Sequence, residues 1–323
     1  MLLSFIIPLY NCEKYIDTCL SSIFSSNLHE KCFEVIIVDD GSKDNGANIV
    51  ERWKNKHDNI NLLRQQNKGA SSARNIGIEA SNGEYIWFVD ADDKIESPFL
   101  EYIYGLINSK PEIDLFCFNY KKEYTEKNVP LVLYYEIKTI SGVDYLNKHE
   151  ALYIWNKIFK RKSIGDIRFL EGTKNIEDML FDVQTIINMN KVCCINKFGY
   201  IYNNTNISST SRSLNNRNLI KLSQDTKAVH KELLKLLHSA STTNKQKKII
   251  ASILNFSIAG HLYSLLRFYS PKYLKKNILF YRSNGLYPVR RTYSIKANFF
   301  LYFANNEKLL SLIYKIYSKL KNT

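Results

Sequence analysis

Three carboxylates stand within four residues at Phe88-Val89-Asp90-Ala91-Asp92-Asp93, directly after an apolar run. Packed this closely, they repel one another unless a cation stands among them. One reading is a solvated acidic turn. The other is a hard divalent cation, Mg²⁺ or Mn²⁺, held by one or two carboxylates together with substrate phosphates. A second acidic pair, Asp39-Asp40, also ends an apolar run and is followed by Gly41-Ser42-Lys43-Asp44. These carboxylates could cap the next helix or accept the imino N–H of a bound base. Asn67-Lys68-Gly69-Ala70-Ser71-Ser72-Ala73-Arg74 brings a glycine and small residues to a helix start, where backbone amides can approach an anion. Arg74, one turn inside, could reach the same anion. Neither a Walker-A spacing nor GxGxxG is present. Pro8-Leu9-Tyr10-Asn11, taken alone, is a strand end and a turn. Glu177-Asp178 suits a helix N-terminus and equally suits a general base.

Elements that position these residues are legible from hydropathy. Apolar runs predict strands over residues 2–9, 33–38, 61–63 and 85–89, and periodic stripes predict helices over 13–25, 45–56 and 70–80. Alternation of strand and helix is the pattern of a doubly wound, mostly parallel sheet with helices on both faces. In such sheets ligands bind at the carboxyl ends of the strands, which is where the polar clusters fall. Further helices are expected over 99–108 and 178–188, and extended segments over 115–120, 153–160 and 199–202. Residues 121–150 show no clear pattern.

PLYN, VDDGSKDN, NKGASSARNIG and FVDADD, in this order and spacing, resemble family 2 glycosyltransferases of the GT-A fold. The resemblance covers roughly residues 1–210. It implies an inverting transferase that uses a nucleotide-diphosphate sugar, with a UDP-sugar the expected donor, and Mn²⁺ or Mg²⁺. It implies that Pro8, Tyr10 and Asp40 line the nucleoside pocket, with Asp39 adjacent and Arg74 beside the pocket or the diphosphate. Asp90-Ala91-Asp92 falls on the DxD motif. Asp92 is then the direct metal ligand, and Asp90 a ribose contact or an outer metal contact. Trp155-Asn156-Lys157-Ile158-Phe159-Lys160 and Glu177-Asp178 resemble acceptor-side segments, with Asp178 the expected base and Glu177 the alternative. Residues 200–202 and 208–210 resemble a closing strand and loop.

The 323 residues are 45% hydrophobic and 24% charged, which excludes intrinsic disorder. Charge is unevenly placed: 25 Lys/Arg against 28 Asp/Glu before residue 215, and 20 against 3 from Asn215 onward. Two parts are therefore expected, a GT-A catalytic domain over 1–214 and a basic, aromatic-rich, mainly helical extension over 215–323. The six cysteines include no CxxC pair, so a reducing compartment is expected. The N-terminal apolar run lacks the basic flank of a signal peptide. Ile250, Leu254, Ile258, Leu262, Leu265 and Tyr269 form a helical stripe, and Leu309, Ile313, Ile316 and Leu320 form another. These read either as helices packed on the protein or as a basic amphipathic surface on an anionic membrane leaflet. Isolated histidines read as surface or core residues. No nucleic-acid motif is visible.

The expected whole is a cytoplasmic, peripherally membrane-bound enzyme extending a lipid-linked glycan in cell-surface polysaccharide synthesis. A soluble or protein acceptor, a nonenzymatic nucleotide-sugar or carbohydrate-binding protein of the same fold, and a homo-oligomeric state are the alternatives kept open.

Overall fold

The structure is a computed structural model. It describes residues 1–310 except 126, 149–151, 207–215, 269–270, 291, 293 and 307. The chain divides into two compact units, Met1–Ser213 and Leu214–Thr323.

The first unit opens with β1 (Leu3–Leu9), α1 (Ile16–Phe24), β2 (Phe33–Asp39), α2 (Gly46–Lys54), β3 (Ile60–Arg64), α3 (Ala70–Ala80) and β4 (Tyr85–Phe88). β1 pairs in parallel with β2 and with β4, and β2 pairs in parallel with β3. Six of the seven β1 residues are buried, the signature of a strand covered on both faces. Phe5, Ile7 and Leu9 join a large core with Leu20, Ile23 and Trp87, while Ile36, Val38 and Ala73 form a small cluster under α3. A Cβ on Gly77 would stand 2.3 Å from Ile6 Cγ2, so only glycine lets α3 lie this close to the sheet. That close approach sets the depth of Arg74, one turn earlier.

The chain continues through β5 (Lys94–Ile95), α4 (Ser97–Ser109), β6 (Leu115–Glu123), β7 (Asn128–Leu131), β8 (Lys138–Ile140), α5 (Gly142–Lys148), β9 (Lys157–Lys160), α6 (Arg161–Ile164), α7 (Glu177–Ile186) and β10 (Val192–Asn203). The sheet order is β3-β2-β1-β4-β9-β6-β10-β5, with β7 beside β6 and β8 beside β10. β9 is antiparallel to both β4 and β6, so the sheet is parallel in its first half and mixed beyond it. Residues 128–140, unreadable from pattern, supply the two short antiparallel strands.

Second-unit helices are α8 (Asn216–His238), α9 (Asn244–Phe268), α10 (Pro271–Ser283) and α11 (Ile295–Ala304). Ile250, Leu254, Ile258, Leu262 and Leu265 are all buried. This corrects the reading of that stripe as a lipid-facing surface: it is the core of the unit. Tyr269 of that stripe, and Ile313, Ile316 and Leu320 of the second one, lie outside the described residues, as does the 208–210 loop. Over Asn244–Leu266, α9 is long and apolar enough to cross a membrane; its 18-residue apolar window has a mean hydropathy of 1.6, and half of that window is buried. We read it as a core helix. His230 and His261, expected as isolated residues, meet there: both ring Nδ1 atoms contact the Tyr281 hydroxyl. His230 Nε2 lies 2.8 Å from Ser257 Oγ and His261 Nε2 lies 2.9 Å from Ser223 Oγ.

Candidate active site

Polar clusters converge where β1, β2 and β4 end. Pro8 is the first element of the opening. Ile6 accepts from Val89 N, so its backbone faces β4, and Pro8, two residues on, faces the same side. The β1–β4 ladder has ended by then, at Ile6 and Phe88. A residue without an N–H therefore sits where the sheet has parted and no donor is needed. Beyond it Tyr10 is 45% exposed, and Asn11 turns with φ 50°. Asn11 N donates to Ser42 Oγ at 3.1 Å, Asn11 Oδ1 accepts from Lys43 N at 2.9 Å, and Glu13 N donates to Asp44 Oδ2 at 2.8 Å. The loops after β1 and β2 are thus one rigid wall.

Asp39 Oδ1 accepts from Ser42 N at 2.9 Å. Asp40 is 3% exposed, and its carboxylate accepts from Gln65 Nε2 and Lys68 N at 2.7 Å and from Gly69 N at 2.8 Å. Gly69 has φ +93°, which L side chains rarely adopt. The anion expected at the start of α3 is therefore supplied from within: the amides preceding the helix hold Asp40. A carboxylate has about four lone-pair positions, and three are engaged here.

Arg74, itself buried, is the centre of a cluster of one buried and two half-buried carboxylates. Its Nη2 donates to Asp90 Oδ1 at 2.9 Å, and its Nη1 to Glu177 Oε1 at 3.1 Å and Asp178 Oδ1 at 3.2 Å. The Arg74 side chain is 6% exposed, those of Glu177 and Asp178 11% and 23%. Its carbon Cζ lies 5.4 Å from the Phe169 ring centroid. Residues more than a hundred positions apart, read separately as a phosphate contact and a base, share one ion-pair network. Burial pushes the Asp178 carboxyl well above the usual range, Arg74 pulls it down, and Glu177 and Asp90 push it up. Ile176, at the α7 N-terminus, sits at φ 55°. A β-branched residue there stores strain immediately before the two acids.

Lys157 and Asp182 anchor α7 from below. Lys157 Nζ stands 3.0 Å from Asp182 Oδ2, and both side chains are fully buried. Asp182 lies one helical turn past Asp178, so the pair fixes how far α7 projects toward the site.

The acidic turn is knitted to β10. Tyr200 Oη accepts from Asp90 N at 3.0 Å and donates to Asp93 Oδ2 at 2.7 Å, while Asn203 N donates to Asp93 Oδ1 at 2.7 Å. Burial, then Asp92 and Asp90, push the Asp93 carboxyl well up. Asp92 Oδ2 accepts from Asn206 Nδ2 at 2.7 Å. Asp92, Asp93, Lys94, Glu123, Asn203 and Tyr15 are among the residues lining a cavity of about 360 Å³. Burial, followed by Asp92, raises the nearby Cys12 thiol to about 12, a sign of the negative field at this turn. Asp93 was read only as the third carboxylate of the acidic cluster, and Tyr200 only as part of an expected closing strand; Asn206 was not singled out at all.

Asp92 and Asp90 meet a simple test as metal-holding residues. Among the described residues, no three His, Cys, Asp or Glu side chains form a metal-binding group. Asp90 Oδ1 is already engaged by Arg74. The donor set fits a cation held by one or two carboxylates and completed by substrate phosphates. It does not fit a cation caged by protein alone.

Residues 4–168 match the sequence model described as "Glycosyl transferase family 2". This chain belongs to glycosyl transferase family 2. Its relatives include the uncharacterized glycosyltransferase YibD of Escherichia coli, 29% identical over 232 residues, 67% of this chain and 66% of YibD. Another is the poly(ribitol-phosphate) beta-N-acetylglucosaminyltransferase TarS of Staphylococcus aureus, 31% identical over 207 residues, 62% of this chain and 35% of TarS. The matches thus span under two thirds of the length of these curated relatives. The crystal structure of S. aureus TarS 1–349 in complex with UDP-GlcNAc superimposes with a TM-score of 0.76 at 21% identity, covering 99% of this chain and 92% of that one. The mannosyltransferase PcManGT from Pyrobaculum calidifontis, in complex with GDP-Man and Mn²⁺, gives 0.50 at 14% identity, covering 96% and 86%. At these identities the likeness speaks for the fold, which in this family 2 chain is of the GT-A type.

Proposed function

We propose that this family 2 chain is a metal-dependent, inverting glycosyltransferase. In this reading it moves a sugar from a nucleotide-diphosphate donor, a UDP-sugar, to a hydroxyl of a lipid-linked glycan in cell-surface polymer synthesis. The enzyme works at the cytoplasmic face of the membrane. UDP-GlcNAc in the TarS complex and the ribitol-phosphate polymer in the TarS name are properties of that protein, and they support the donor and polymer classes for this one. The single observation that carries the reading is Arg74, which joins the acidic turn at Asp90 to the acid pair Glu177-Asp178 in one network.

In this mechanism, Pro8 and Tyr10 line the nucleoside pocket, and Asp39 and Asp40 hold its wall. Asp92 would hold a divalent cation together with the donor diphosphate. When bound, such a cation would supply charge neutralisation at the departing diphosphate. Asp178 takes the proton from the acceptor hydroxyl as the hydroxyl oxygen attacks C1 from the face opposite the diphosphate. Arg74 favours the ionised form of Asp178 against its burial and fixes its direction. Glu177 shares the guanidinium and holds the pair in register.

The experiment is donor turnover: incubate the full chain with a panel of nucleotide-diphosphate sugars and Mg²⁺ or Mn²⁺, and measure nucleotide release. Release from one donor class supports the assignment. No release from any donor, with or without acceptor glycans, contradicts it.

A further inference from the structure

We propose that one face of α11 is the element by which the second unit enters an anionic lipid surface. The inference rests on the membrane-apposed reading above and names the residues that carry it. Ile295, Phe299 and Tyr302 are 86%, 71% and 74% exposed. Spaced by four and three residues, they lie on one stripe of the helix. Leu301 and Ala304, on the other side, are buried, so the helix is already seated on its own unit and presents the aromatic stripe outward. Tyr263 of α9 is also 54% exposed, with its ring 5.6 Å from that of Phe300, which lies off the stripe. Large exposed apolar residues aligned on one helix stripe mark an interaction surface rather than scattered apolar positions.

Charge selects the occupant. Arg290, Lys296 and Lys308 flank the stripe in sequence and are exposed, as are Lys272, Lys275 and Lys276. The two described acids of the unit are both paired: Asp225 with Lys221 at 2.6 Å and Glu232 with Lys235 at 2.7 Å. Among the described residues of this unit, the positive surface therefore has no unpaired acid. A ten-residue helix is about 15 Å long, half the hydrocarbon thickness of about 30 Å, so it lies in the interface plane. Tyrosine at one end and lysine beside the stripe are the residues that sit at headgroup level.

The test is co-sedimentation of the full chain with phosphatidylcholine vesicles, with and without phosphatidylglycerol, at low and high salt. It compares wild type with Phe299→Ser/Tyr302→Ser, with thermal melting to check the fold. Wild type is expected to bind the anionic vesicles and to release in salt. The double variant should melt as wild type does and bind those vesicles roughly ten-fold or more weakly, since two aromatics that lipid would bury are lost. If wild type binds and the variant binds equally, the α11 assignment is overturned while the membrane reading stands. If wild type ignores anionic vesicles, both are overturned. If instead light scattering shows self-association that the variant abolishes, the face is a contact between copies of this chain, and the lipid assignment is overturned.

Discussion

Arg74 and Asp178 are joined at 3.2 Å, Nη1 to Oδ1, and the same guanidinium holds Asp90 Oδ1 at 2.9 Å. Removing the cation leaves partly buried carboxylates facing one another. The Asp178 carboxyl, raised already by burial, rises further without Arg74. A base must be ionised to act, so the acid limb of the transfer rate should move to higher pH in Arg74→Met. At neutral pH the rate should drop by about ten-fold or more, because hydrogen bonds to charged groups are worth about 1.5–3 kcal/mol. Arg74→Lys should recover part of the shift. A pH–rate profile checks this; an unmoved acid limb would contradict the coupling.

Asp92→Ala should abolish transfer while changing thermal stability little, since the residue lines a solvent-accessible cavity. EDTA in excess should do the same to wild type, and Mn²⁺ or Mg²⁺ should restore activity. Full activity of the variant, or of wild type in EDTA, would remove the metal from the account.

Much of the first unit could be read from its residues. β1, β2 and β4 are near-continuous apolar runs because both faces are covered, and Gly69 and Ala70 bracket the start of α3. Three of the four motifs end a strand, and β1, β2 and β4 are adjacent. Their convergence followed from topology alone. What could not be read is the long-range pairing. Nothing local says that Arg74 meets Glu177 and Asp178, or that Tyr200 closes on Asp93. These contacts depend on an antiparallel β9 inserted beside β4, a register set by residues far apart in sequence. In the second unit the apolar stripe of α9 was visible, but periodicity does not say whether a stripe faces lipid or protein.

Lys157 and Asp182 should be expensive to separate. Lys157→Met leaves Asp182 buried without its cation and should cost about 3–5 kcal/mol of stability. Lys157→Met/Asp182→Leu removes both charges and should recover most of that. Urea unfolding of the three variants is the check, and equal loss in single and double variants would contradict a paired role.

The histidine pair makes a pH prediction for the second unit. Burial depresses both rings, His261 to about 3, and His230 well below its usual value. Unfolded, each titrates near 6.5. Between those values the unfolded chain binds more protons than the folded one, so stability falls as pH drops. The full contribution is present above about 6.5 and is lost progressively below it, by up to about 1.4 kcal/mol per pH unit for each ring. His230→Gln/His261→Gln should melt at a temperature that changes less between pH 7.5 and about 4.5 than wild type does. Parallel pH dependence in the two proteins would exclude the pair as its source.

The central claim is that the acidic turn serves the donor and Asp178 serves the acceptor. Transfer rate and donor affinity measured side by side in Asp178→Asn test it most directly. Loss of the base should lower transfer by about 10²–10⁴-fold, with UDP-sugar affinity by calorimetry close to wild type. Near-normal transfer, or donor affinity lost in step with rate, would contradict the division of labour between the two ends of Arg74.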